Sequence, residues 1–159
     1  MKYARLTKEQ FEELHQEFIN FLATQSITAD EWKDLKASKP EIAEQELDVF
    51  SDLVWEGVLN RVEYLENISE KQMYLFFLEE SVMHLIAVKV GAHGIDLMTS
   101  EGFAWLRENL HSDAVEMMTA QKKYGKDKNA DKFQLIQLGA VITKGELYRW
   151  FYQLINLHE

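Results

Sequence analysis

The run Met73-Tyr74-Leu75-Phe76-Phe77-Leu78 is apolar at every position and has the length of a strand. A strand without polar alternation suits the centre of a sheet, covered on both faces. Such a strand needs neighbours. Val82 to Val90, rich in β-branched residues, follows after a short polar turn, and Val62 to Ile68 precedes as a weaker strand. With Gln72 to Glu79 between them, the three read as an antiparallel meander.

Ahead of the meander, Pro40 to Asn60 reads as a long helix. At about 100° per residue, Ala43, Leu47, Phe50, Val54 and Val58 share one arc, with Leu53 and Gly57 at its edge. On the other side Glu44, Asp48, Asp52 and Glu56 form an i, i+4 ladder of carboxylates, with Glu41 beside it and Trp55 and Leu59 within it. Like charges at that spacing oppose a helix by roughly 0.2 to 0.5 kcal/mol per pair. Arg61 would fall inside the apolar arc, so the helix is expected to end near Asn60. Pro40, the single proline, suits its first turn, with Ser38 as the cap.

Thr7-Lys8-Glu9-Gln10, Thr28-Ala29-Asp30-Glu31 and Thr143-Lys144-Gly145-Glu146 have the spacing of capping boxes. The first opens a helix burying Phe11, Leu14, Phe18, Phe21 and Leu22, the second a short helix through Trp32 and Leu35, the third a closing helix carrying Leu147, Trp150, Phe151, Leu154 and Ile155. Thr99 or Ser100 caps a helix with Phe103, Leu106 and Leu110 on one side. Residues 115–119 fit strand and helix alike. Lys122 to Lys132 reads as a solvent loop entering a helix from about Ala130 to Leu138, with Gly139 as its C-cap. The order of elements gives a single α+β domain over residues 1–159, a small antiparallel sheet of three or four strands packed against five or six helices.

With 159 residues and no cysteine, the chain can hold one sizeable core, and disulfides, thiolate metal sites and cysteine nucleophiles are excluded. No apolar window approaches the roughly 18 residues of a membrane span, and the first residues lack a secretory pattern. The expectation is a soluble, cytoplasmic protein. A net charge of −10 and a pI near 5.0 oppose binding to nucleic acid or anionic membranes and favour a basic protein partner.

Each candidate site has a bland explanation that outweighs the functional one. The ladder reads first as a solvated face, then as a partner-binding face through Glu44, Asp48, Asp52, Trp55 and Glu56, and last as a metal or acid-base site. As a docking face it predicts that Asp48→Lys with Asp52→Lys weakens binding while leaving the melting temperature the same or raised. The Glu-x-x-His spacings Glu12/His15 and Glu108/His111 resemble those of di-metal bundles, but Glu12 and Glu108 point away from the apolar stripes of their helices. His15, His84, His93, His111 and His158 show no metal-ligand spacing, and Tyr74 and His84 are placed to meet across a hairpin. Lys122, Lys123, Lys126, Lys128 and Lys132, with Tyr124 among them, form the one basic cluster. They read as a solvated loop. Tyr148, Trp150, Phe151 and Tyr152 read first as docking the last helix, and because four aromatics in five residues strain what one core face covers, a protein contact is the alternative. No catalytic residue, cofactor or metal is assigned.

The segments MKYARLTKEQFEELHQEFINFLATQSITADEW, ELDVFSDLVWEGVLNRVEYLE and ITKGELYRWF resemble a family of uncharacterised bacterial proteins, mainly from Bacteroidetes, of about this length. The resemblance spans nearly the whole chain and carries no assigned activity. The functional expectation is a small acidic protein-binding or adaptor domain. Its alternatives are an inhibitor or immunity-type protein for a basic partner, and an enzyme using an acidic pocket.

Overall fold

A computed structural model of the chain describes residues 1–157; His158, weighed above, lies outside the described residues. The chain falls into two compact units, one over Met1–Asn60 and a second from Arg61 onward.

The first unit is helical: α1 (Lys8–Glu13), α2 (His15–Thr24), α3 (Ala29–Ser38) and α4 (Pro40–Arg61), whose last residue belongs to the second unit. The Thr7 box is complete, its hydroxyl accepting from the Gln10 N–H and the Gln10 side chain accepting from the Thr7 N–H. The single helix expected after Thr7 is broken at Leu14, which raises the helix count of the described residues to seven. Thr28 caps α3. Ser38 caps nothing: it is the last residue of α3, and its hydroxyl donates back to the Asp34 carbonyl (2.7 Å). The core joins Leu6, Phe18, Phe21, Leu22 and Phe50, with Phe18 held between Phe50 (5.1 Å between ring centres) and Trp32 (5.2 Å). The buried arc of α4 is turned from the expected one. Ser51 and Leu59 are fully buried, whereas Leu53 is 56% exposed.

At the end of α2, Ile27 N–H donates to the Leu22 carbonyl and Ser26 N–H to that of Ala23, a Schellman motif with Ser26 at the left-handed position, φ 59°. A serine there carries steric strain of roughly 1 kcal/mol that glycine avoids. Ser26→Gly is therefore expected to raise stability by at most about 0.5 kcal/mol in urea unfolding, after allowing for glycine's unfolded-state entropy of about 0.5 to 1 kcal/mol.

The second unit is built on one sheet of β1 (Tyr64–Ile68), β2 (Gln72–Leu78), β3 (Val82–Val90), β4 (Val115–Lys123) and β5 (Val141–Thr143), with α5 (Ser100–Glu108), α6 (Lys128–Gln137) and α7 (Glu146–Leu157). The strand order is β4-β3-β2-β1-β5 and every pairing is antiparallel. The apolar run is thus the central strand, as its composition requires. One face buries Met73, Leu75, Ile86, Val88 and Val90 against Leu106 of α5 and Tyr148 and Phe151 of α7. On the other face Leu65, Leu78 and Ala87 are buried, and α6 approaches Phe76, Met83 and Leu85 with Leu135.

The sheet has five strands, not three or four. Residues 115–119 belong to a nine-residue strand reaching Lys123, because their backbone pairs with β3 along its whole length. Short β5 carries too few residues to show alternation. The Thr143 box is also replaced. Thr143 closes β5, its hydroxyl accepts from the Gly145 N–H (3.1 Å), and Gly145 at φ +82° supplies the first helical carbonyl to Arg149.

Candidate functional site

The acidic ladder of α4 is met by the segment that precedes α1, within the same unit. Arg5 places its guanidinium on Glu44 and its Nε on Asp48 (2.8 Å); the Asp52 carboxylate accepts the backbone N–H groups of Lys2 (2.6 Å) and Tyr3 (2.9 Å). Glu56 takes the Tyr3 hydroxyl and lies 3.6 Å from Lys2 Nζ. Between these rungs Trp55 Nε1 donates to the Ala4 carbonyl (3.0 Å), and the buried Ser51 hydroxyl accepts from Leu6 N–H (3.0 Å) while donating to the Leu47 carbonyl. The two carboxylates, Asp48 first, push the Arg5 pKa up. Burial, and then the Glu56 hydrogen bond, raise that of Tyr3. All five residues of the expected partner-binding face, Glu44, Asp48, Asp52, Trp55 and Glu56, therefore have bonds within the chain. The ladder's repulsion is offset by Lys2 and Arg5 and by two backbone donors.

A second feature of this unit is an open groove of about 710 Å³ between α1, α2, α3 and α4. Phe11, Phe18, Ile19, Leu22, Ile27, Trp32 and Leu47 form its apolar floor. Arg5, Lys8, Lys33 and Lys36 line it as cations, against Glu12 as the one carboxylate, and His15 completes the lining. With Arg5 already paired to Glu44 and Asp48, Lys8, Lys33 and Lys36 stand against Glu12 in a chain of net charge −10. Among the described residues Lys8, Lys33 and Lys36 make no ion pair, and Lys36 Nζ lies 5.8 Å from the Trp32 ring centre.

The second unit contains an aromatic cleft of about 430 Å³ lined by Tyr64, Phe77, Glu79, His84, Tyr148, Arg149, Tyr152 and Gln153. His84 Nε2 is 2.7 Å from the Glu79 carboxylate, and its ring stacks on Phe77 (5.7 Å). His84 does not meet Tyr74. The hairpin register pairs His84 with Phe77 and Tyr74 with Ala87, which puts the two side chains on opposite faces of the sheet. Burial foremost raises the Tyr148 pKa. The lining offers aromatic faces and one His–Glu pair, with no serine, threonine or lysine beside them. Among the described residues no group of three or more His, Asp and Glu side chains is placed to share a metal ion, and no helix is long and apolar enough to cross a membrane.

Residues 1–156 match DUF6495, described as a family of unknown function. The chain belongs to that family. No curated protein and no solved structure matches it.

In this DUF6495 chain the lysine cluster is dispersed rather than pooled. Lys122 and Lys123 end β4; Lys128 opens α6 and donates to the Glu80 carbonyl (2.6 Å); Lys132 is buried and donates to that of Val62 (3.3 Å). Burial foremost lowers the Lys132 pKa. Tyr124 donates its hydroxyl to the Glu79 carbonyl (2.7 Å), and burial, with Asp131 and Glu79 nearby, pushes its pKa up to about 12. From the ordinary value near 10 to about 12, the unfolded chain loses this proton while the folded one keeps it, so stability falls as pH rises through that window. Tyr124→Phe is expected to flatten the decline in urea midpoint between about pH 10 and about pH 12. Tyr3 and Tyr148, also raised, keep part of the slope.

Sequence reasoning did not reach the groove. Its lining comes from four helices and the segments before α1 and α3, and only the exposed Lys33 and Lys36 of α3, the next residue and one turn on from Trp32, signalled it.

Proposed function

We propose that this chain is a protein-binding domain whose site is the groove of the first unit, and that the partner presents an amphipathic helix with an acidic flank. The observation behind this reading is an aromatic and aliphatic floor, Phe11, Phe18, Ile19 and Trp32, rimmed by Lys8, Lys33 and Lys36. Helices recognised in grooves anchor apolar residues at i, i+3, i+4 and i+7, and charge on the flanks fixes their direction and speeds encounter. The adaptor role expected from the sequence is kept, but the sign of the partner changes. A basic partner on Glu44, Asp48, Asp52, Trp55 and Glu56 would compete with residues 2–5, which already bond to these side chains.

The test uses a fluorescein-labelled synthetic peptide with leucines at helical spacing and glutamates on the flanks, titrated with the whole chain. Binding is expected at micromolar chain, weakening as salt is raised. Lys33→Glu with Lys36→Glu should reduce affinity about tenfold or more without changing the melting temperature by more than the small effect of surface charges. No anisotropy change at about 100 μM chain, equivalent to binding weaker than about −5.5 kcal/mol, would reject the groove as a helix site.

A further inference from the structure

The two edges of the sheet are unlike. β5 is three residues long, whereas β4 runs nine residues, Val115 to Lys123, pairs with β3 in one unbroken register, and is exposed from Glu116 to Lys123. An edge of about 30 Å without proline, bulge or cover is a template for another strand. Among the described residues nothing pairs with its outer side.

We infer that β4 pairs with β4 of a second copy, antiparallel, about a two-fold axis at Thr119, to make one continuous sheet across a dimer. The backbone permits it. Gly91 N–H donates to the Ala114 carbonyl (2.7 Å), so the alternation of an antiparallel ladder turns Glu116, Met118, Ala120 and Lys122 toward β3 and Met117, Thr119 and Gln121 outward. Val90 N–H bonds to Lys71 on the opposite side, as the same alternation requires. An axis at Thr119, the middle of the nine residues, pairs Thr119 with Thr119 and Met117 with Gln121 through outward N–H and carbonyl groups, and sets Lys123 opposite Val115, whose N–H already donates to the Ser112 carbonyl (3.0 Å), leaving its carbonyl for the contact. It uses the whole strand.

The charges favour a second copy as the occupant. In this register Glu116 lies directly opposite Lys122 of the second copy, twice by symmetry, on one face of the sheet; opposite charges at such positions attract. A shift of the axis by one residue toward the start of the strand places Glu116 opposite Ala120 and leaves Lys122 beyond the strand. The strand itself carries Glu116 against Lys122 and Lys123, so it is locally basic in a chain of net charge −10, and two copies repel less here than elsewhere. Met117 and Met118, 38% and 50% exposed on opposite faces, would be covered by the partner strand.

Sedimentation equilibrium of the whole chain, from low to high micromolar, should move the mass from 18.7 kDa toward twice that value. Glu116→Lys should weaken association about tenfold or more, and adding Lys122→Glu should restore it, a rescue that only this register gives. Thr119→Pro leaves every β3 bond intact and should abolish the dimer with the circular dichroism unchanged. Hydrogen exchange at high concentration should protect the amides of Met117, Thr119 and Gln121 as well as their alternates. A chain that stays at 18.7 kDa throughout, or a dimer in which those three amides exchange freely or the charge swap fails to rescue, overturns the inference.

Discussion

Gly145→Ala should destabilise the second unit by roughly 2 to 5 kcal/mol, the sum of about 1 to 2 for a left-handed alanine and about 1 to 3 for overpacking. Gly145 is buried at φ +82°, and a methyl group there would lie 2.4 to 2.5 Å from the Tyr64 ring. That ring is held on two sides, although it also lines the open cleft. It stacks on Phe77 (5.0 Å between centres) and lies beneath the Arg149 guanidinium (5.3 Å). Gly94 provides the internal control: its φ is +79°, but nothing lies within 4 Å of the added methyl. Gly94→Ala should therefore lose only the conformational part, about 1 to 2 kcal/mol. Urea unfolding of the two variants separates strain from collision, and equal losses would mean that the Tyr64 ring yields.

Asp48→Lys with Asp52→Lys should lower stability by about 2 to 4 kcal/mol, the reverse of what the ladder alone implies. Relief of like-charge repulsion is worth roughly 0.2 to 0.5 kcal/mol per pair. Against it stand two backbone N–H bonds to the Asp52 carboxylate, of a type contributing about 1.5 to 3 kcal/mol each, and the Arg5 bond to Asp48. The new lysines would also face Lys2 and Arg5. Asp48→Asn with Asp52→Asn keeps the acceptors and should lose less. A double lysine variant melting at or above the parent temperature would show that residues 2–5 do not hold the ladder.

What the sequence disclosed follows the range of each interaction. Thr7, Thr28 and Thr99 are legible as caps because each hydroxyl meets a backbone N–H three residues on. The Thr143 spacing looks the same and fails, since Gly145 takes the cap position under a contact with Tyr64, 81 positions earlier in the chain. The apolar run of β2 announces a central strand by composition alone. Edge strand β4 has no such signal; it is a strand because β3 offers it a ladder. For the candidate site, α4 displayed its carboxylates plainly, while their partners lay 39 to 53 residues away. The groove is harder still, because Phe11, Phe18 and Trp32 are each explained as core residues until the helices leave a side of them uncovered.

The central claim is that the basic-rimmed groove is the site where this chain meets a partner. Its most direct test is an amide chemical-shift titration of the whole labelled chain with the acidic amphipathic peptide. The account predicts shifts concentrated at Lys8, Phe11, Ile19, Trp32 and Lys36, with the amides of Lys2 and Tyr3 unmoved on Asp52. Shifts along α4 at Glu44, Asp48 and Asp52 with the groove silent would contradict it.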